Sequence, residues 1–186
     1  MRALNTRKIM GIGAAALVCL SLCATTALAV ALPTFRSDLI VPNQSLAGVK
    51  LKSTYKEAVK AFRSGVKGCS TKGCSYQAAD GAAFSILFAR LTTRGRTFVG
   101  QIAIQAGDKV SGRTETGVFT TPLAALKTAK GIGLGSTAAA VKRAYPHVTG
   151  NALDGYEIKG HGEYGTEFHF LHGRVTLIQM QAVHFG

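Results

Sequence analysis

Lys130-Gly131-Ile132-Gly133-Leu134-Gly135-Ser136-Thr137, followed by Ala138-Ala139-Ala140-Val141-Lys142-Arg143-Ala144-Tyr145-Pro146, is the stretch from which the rest of the chain can be laid out. Slid back 83 positions without a gap, it falls on Gly48-Val49-Lys50-Leu51-Lys52-Ser53-Thr54. Leu134 then lies on Leu51, Ser136 on Ser53, Thr137 on Thr54, Ala144 on Ala61 and Tyr145 on Phe62. The chain reads as one small unit written twice.

The helix that each copy opens has its own signature. Thr54 stands three residues before Glu57, a capping box, and Tyr55, Ala58, Val59 and Phe62 follow the spacing of one helix face. Lys56, Lys60 and Arg63 fall off that face toward solvent, and Gly65 marks the helix end. In the second copy Thr121 is an N-cap with Pro122 at the first helical position, giving a short helix from Pro122 to Lys130. Gly131 to Gly135 then turn into a helix capped by Ser136 or Thr137, with Val141, Ala144 and Tyr145 inward and Pro146 as its stop.

After each helix the period changes from that of a helix to two. Ala83 to Leu91 alternates through Phe84, Ile86 and Phe88. Arg96 to Gln105 returns with Phe98, Ile102 and Ile104 on one side and Val99, Gln101, Ala103 and Gln105 on the other. In the second copy, strands are expected at Gly155 to Lys159, Glu163 to Leu171 and Val175 to Val183, with Gly173-Arg174 matching the earlier turn at Gly95-Arg96.

Residues 1–29 read as a signal peptide. Arg2, Arg7 and Lys8 precede an apolar run from Ile9 to Leu22, and Ala27-Leu28-Ala29 supplies the small-x-small pattern of a cleavage site. Ala29-Val30-Ala31 is the competing site, and an uncleaved anchor is the alternative to cleavage. Cys19 and Cys23 follow Val18 and Leu22, which does not suit lipidation. The layout is then a signal peptide at 1–29, a leader at 30–42, a first unit at 43–110, a connector at 111–120 and a second unit at 121–186.

Removing three cations from a formal charge of +13 leaves +10. So basic an exported chain has either a solvated cationic surface or an anionic partner, such as an envelope polymer or lipid headgroup. Nucleic acid is not expected, because the charge is spread along the chain without a basic run interleaved with aromatics. Past the signal the cysteines are Cys69 and Cys74. An even number in an oxidising compartment predicts a disulfide, with a redox or metal pair as the rival reading.

Chemistry-bearing residues are sparse. Gly131-x-Gly133-x-Gly135 admits a phosphate-loop reading, but the spacing is not that of a dinucleotide fingerprint and no strand precedes it. A connection between helices needing positive φ accounts for it. Strand alternation places Glu163, Glu167 and His169 on one face as a surface polar cluster. His147, His161 and His172 fall in loops and His184 in the tail. No serine stands in a nucleophile elbow and no metal-binding spacing occurs. Neither an enzyme, a cofactor nor a metal is expected.

The order of short helix, Leu134-Gly135-Ser136-Thr137, helix ending at Ala144-Tyr145-Pro146, then strands with Gly173-Arg174-Val175 at the last turn resembles the SmpA/OmlA, or BamE-like, family of outer-membrane assembly lipoproteins. Two such units in tandem are similar in layout to the β-lactamase inhibitory protein family. The resemblance covers about 120–183 and, more loosely, 43–106. It implies an α+β protein of two helix-helix-antiparallel-sheet units with the helices packed on one face of the sheet, each unit with its own core. The helices would bury Val59, Phe62, Val141 and Tyr145 against Phe84, Phe88, Phe168 and Phe170. It also implies a binding or assembly role without catalysis. The expected function is a secreted or envelope-associated binding module, monomeric, for an anionic envelope component or an unidentified protein. Inhibition of a secreted enzyme is the alternative, and a metal-dependent enzyme the more remote one.

Overall fold

The computed structural model describes residues 32–64, 69–70, 72–78, 81–90, 97–107, 122–160 and 164–182. The expected signal peptide and connector, Glu163, and the helix boundaries expected at Gly65 and Thr121 lie outside them.

Strands make up 51% of the described residues and helical turns 14%. The expectation of helices packed on a sheet in two α+β units is therefore corrected to a mostly β architecture. α1 (Tyr55–Ala58) has the expected capping box. Thr54 Oγ1 accepts from the Glu57 N–H, and the Glu57 carboxylate accepts from the Thr54 N–H. The helix then tightens into a 3-10 turn at Val59–Ala61 and turns extended at Phe62. Phe62 reaches the core, as its spacing implied, but it does so from β5 (Phe62–Ser64), which pairs with β1 (Thr34–Phe35). Aromatic packing decides this path. Phe62 meets Phe35 at 5.4 Å, Tyr76 at 5.9 Å and Phe84 at 5.9 Å between ring centres, a set that continued helix would leave.

The expected helix at Pro122 to Lys130 is likewise a 3-10 turn, Pro122–Ala125, followed by β9 (Lys127–Thr128). β9 runs parallel to β2 (Leu39–Val41), which joins β3 (Ser45–Leu46) and β4 (Val49–Lys50) in a small second sheet. The leader at 30–42 thus supplies two strands. α2 (Ala138–Ala144) is the one α-helix among the described residues of the second half, capped by the Thr137 hydroxyl and stopped before Pro146.

The main sheet is antiparallel and has seven strands in the order β10 (Thr149–Asn151), β11 (Gly155–Lys159), β12 (Gly165–Leu171), β13 (Arg174–Gln181), β8 (Thr97–Gln105), β7 (Ala83–Arg90) and β6 (Gly73–Gln77). The two halves meet edge to edge where β13 pairs with β8, Ile178 opposite Ile104 and Met180 opposite Ile102. One cluster runs through both, with Phe62, Phe84, Val141 and Phe168 buried and Val59, Phe88, Tyr145 and Phe170 packed against it. The expected core residues are there, in one shared core instead of two.

The halves repeat in detail. Lys52 N–H donates to Val99 C=O and Val99 N–H to Ser53 C=O; the same pair recurs between Gly135, Ser136 and Val175. Register shifts fall at matching places, between Leu87 and Phe88 in β7 and between His169 and Phe170 in β12. That bulge, an extra residue in β8, turns Val99 to the core face opposite Phe88 and Phe98 to the other face opposite Ala89, the reverse of what strict alternation implied.

Candidate functional site

One face of the main sheet is covered by α1, α2, the small strands and their loops; the other is, among the described residues, the more open one, with most of its side chains half-buried or exposed and Ala103 and Phe98 buried. Register places one row of residues across all seven strands of the open face: Ser75, Ser85, Ala103, Gln179, Glu167, Glu157 and Thr149. At about 4.8 Å per strand it spans roughly 29 Å. Its first-half end is small and neutral, and its second-half end is acidic.

At that acidic end Thr149, Gly150, Asp154, Gly155, Tyr156, Glu157, Glu167 and His169 line a cleft of about 190 Å³. His169 Nε2 lies 3.1 Å from the Glu167 carboxylate, so two members of the expected cluster do meet. Glu163 lies outside the described residues. Sequence reading missed Glu157, which pairs directly across the strands with Glu167, and Asp154 at the hairpin turn. The place of Glu157 is set by the register of the β11–β12 hairpin, where Gly160 N–H donates to Tyr164 C=O, and alternation within one strand does not reveal it. Like charges directly opposite each other weaken a sheet. Gly150 is required here, because a Cβ would strike the Gly155 carbonyl across the strands.

Positive charge gathers on the covering side. Arg36, Lys56, Lys60 and Arg63 from the first half and Lys127, Lys130, Lys142 and Arg143 from the second are all exposed. Asp38 and Glu57 are the carboxylates in the same segments, 32–64 and 122–151. Among the described residues none of these cations is ion-paired with a carboxylate. Glu57 is held below its ordinary carboxyl range, first by the Thr54 N–H and then by the Thr54 hydroxyl. Three ammonium groups stand instead over tyrosine rings: Lys52 over Tyr164 at 4.3 Å, Lys130 over Tyr145 at 4.7 Å and Lys142 over Tyr156 at 5.8 Å. Such contacts fix a cation in place and leave its charge uncancelled.

The glycine stretch does not cradle an anion. Gly131 N–H donates to Thr128 C=O, Ile132 N–H to the Thr128 hydroxyl, Gly133 N–H to the Ser136 hydroxyl and Gly135 N–H to Val175 C=O. With these donors satisfied inside the fold, the phosphate reading falls. The stretch is also no helix-helix connection. It leads from β9 into α2, and Gly133 is needed because a Cβ would collide with the Leu126 carbonyl.

Cys69 and Cys74 form the expected disulfide, with an S–S distance of 2.09 Å, at the outer edge of β6. His147 and His172 are exposed in separate turns. Among the described residues no group of three or more His, Cys, Asp or Glu is arranged to hold a metal ion. Nor is any helix among them long and apolar enough to cross a membrane. No protein-family model, curated protein or solved structure matches the chain.

Proposed function

We propose that the protein is a non-catalytic binding module for an anionic component of the cell envelope, engaged through the covering side. The observation that carries this reading is the run of exposed lysines and arginines from Arg36 to Arg63 and from Lys127 to Arg143, none of them paired with a carboxylate among the described residues, over one shared core. A surface whose cations are not neutralised from within attracts polyanions and anionic headgroups. The disulfide fits an oxidising compartment, and export is part of the same proposal.

An inhibitor-like role would use the open face. That face offers Ser75, Ser85, Ala103 and Gln179 along most of its central row, where protein hot spots favour Trp, Tyr and Arg, so the anionic partner is the better supported reading.

Co-sedimentation of the protein with an anionic polymer and with phosphatidylglycerol vesicles, at 0.1 M and 1 M salt, tests the proposal. Binding is expected at low salt and should fall as the Debye length shortens from ~10 Å to ~3 Å. Reversing Lys56 and Lys60 to glutamate should weaken it further. Absence of binding at 0.1 M salt, or binding indifferent to salt, would remove the proposal.

A further inference from the structure

Leu153, at the tip of the β10–β11 hairpin, is 92% exposed, about twice as much as Leu87 at 46%. Its turn is held firmly. Asn151 Oδ1 accepts from the N–H of Leu153 at 2.7 Å and of Asp154 at 2.9 Å, and Asn151 Nδ2 donates to the Asp154 carboxylate at 2.6 Å. An aliphatic side chain is thus presented to solvent on a preorganised tip, with Asp154 beside it and Glu157 on the adjoining strand.

A surface of complementary character lies elsewhere on the same chain. Gly48, Lys50, Leu51, Lys52, Ser53 and Glu57 line a cleft of about 400 Å³. The Glu57 carboxylate is already engaged by the Thr54 N–H and hydroxyl. Lys50 and Lys52 outnumber this one carboxylate, so the rim is net positive, and Leu51, half-buried, contributes apolar surface. Lys52 lies over Tyr164, just before β12, whereas Leu153 lies beyond the opposite end of β11. The five residues of β11 separate them by roughly 17 Å. The tip cannot fill the cleft of its own molecule.

We propose that the Leu153 tip of one copy seats in the Gly48–Ser53 cleft of a second copy, with Asp154 facing Lys50 and Lys52. Tip and cleft are different patches, so the contact is heterologous and leaves a free tip at one end and a free cleft at the other. It builds short head-to-tail chains and not a closed pair. A net charge of +13 opposes close approach. At 0.15 M salt, screening over ~8 Å weakens that whole-molecule repulsion more than it weakens a direct contact.

Sedimentation of the full chain at 0.15 M salt over a range of concentrations tests this, using wild type, Leu153→Ser, Lys50→Glu and a 1:1 mixture of the two variants. Wild type should show a concentration-dependent series of species. Each variant should associate on the order of tenfold more weakly, with thermal melts like wild type because both positions are exposed. The mixture is the sharper arm: Leu153→Ser retains a cleft and Lys50→Glu a tip, so together they should form dimers and nothing larger. A monomeric wild type, variants that assemble like wild type, or a mixture that stays monomeric while wild type assembles would each overturn the proposal. Leu153→Ser keeps every cation of the covering side, so its binding to the anionic polymer reports on the proposed function separately.

Discussion

Where the first half places Phe84 on the core face of its central strand, the second half places Thr166 at the matching position of β12, and both are fully buried. Phe84 anchors an aromatic group with Phe35, Phe62 and Tyr76. Thr166 spends its hydroxyl on Asn43, accepting from the Asn43 N–H at 2.7 Å and donating to Asn43 Oδ1 at 2.7 Å. The same strand frame is thus secured by packing and a disulfide in one half. In the other it is secured by a part-buried hydrogen-bonded clasp that ties Asn43, in the turn after β2, to β12. The half that relies less on aromatic bulk is also the one that carries the acidic cleft and the exposed tip. A repeated backbone frame leaves side chains free to diverge as long as each half fills its own side of a shared core.

The largest expected effect breaks the first half. Phe84→Ala should lower unfolding free energy by roughly 3–5 kcal/mol, the range for truncating a buried aromatic, as read by denaturant unfolding. Thr166→Val in the second half keeps the shape but strands the Asn43 N–H and Oδ1, and should cost about 1–3 kcal/mol. A loss as large as that of Phe84→Ala would mean that the clasp, and not aromatic packing, is the main support of the fold. Smallest is a change of opposite sign. Glu157→Gln relieves a cross-strand repulsion with Glu167 and should stabilise by about 0.2–1 kcal/mol; a destabilised variant would show that the weak contact from the Thr149 hydroxyl, 3.5 Å from the Glu157 carboxylate, matters more than the repulsion.

Much of this frame could be read in the residues, and the misreadings have a common physical cause. The Thr54 and Thr137 caps, the β11 limits and the bridge at Cys69 follow from local chemistry that tertiary context does not override. The helix expected from Thr54 to its end at Gly65 shortens because its spacing, Tyr55-Ala58-Val59-Phe62, equally serves a chain that turns extended to join an aromatic cluster drawn from three other segments. Periodicity over a few residues cannot register partners as distant as Phe35 and Phe84. β6 was hidden because Gly73 to Gln77 lies against the cysteine loop and is polar on its open side, at Ser75 and Gln77. The Glu167–His169 contact was legible from alternation within one strand. Glu157 and Asp154 were not, because their place depends on register between strands.

Native-state hydrogen exchange on two matching amides tests most directly the claim that both halves unfold as one body. Val99 N–H donates to Ser53 C=O at 2.8 Å and Val175 N–H to Ser136 C=O at 2.9 Å, so each reports the same clamp in its own half. A single shared core and the β8–β13 seam predict that both amides exchange only through global opening, at the same free energy and with the same denaturant dependence. Exchange of Val175 at a distinctly lower free energy, with Val99 still protected, would show two separately cooperative halves and contradict the account.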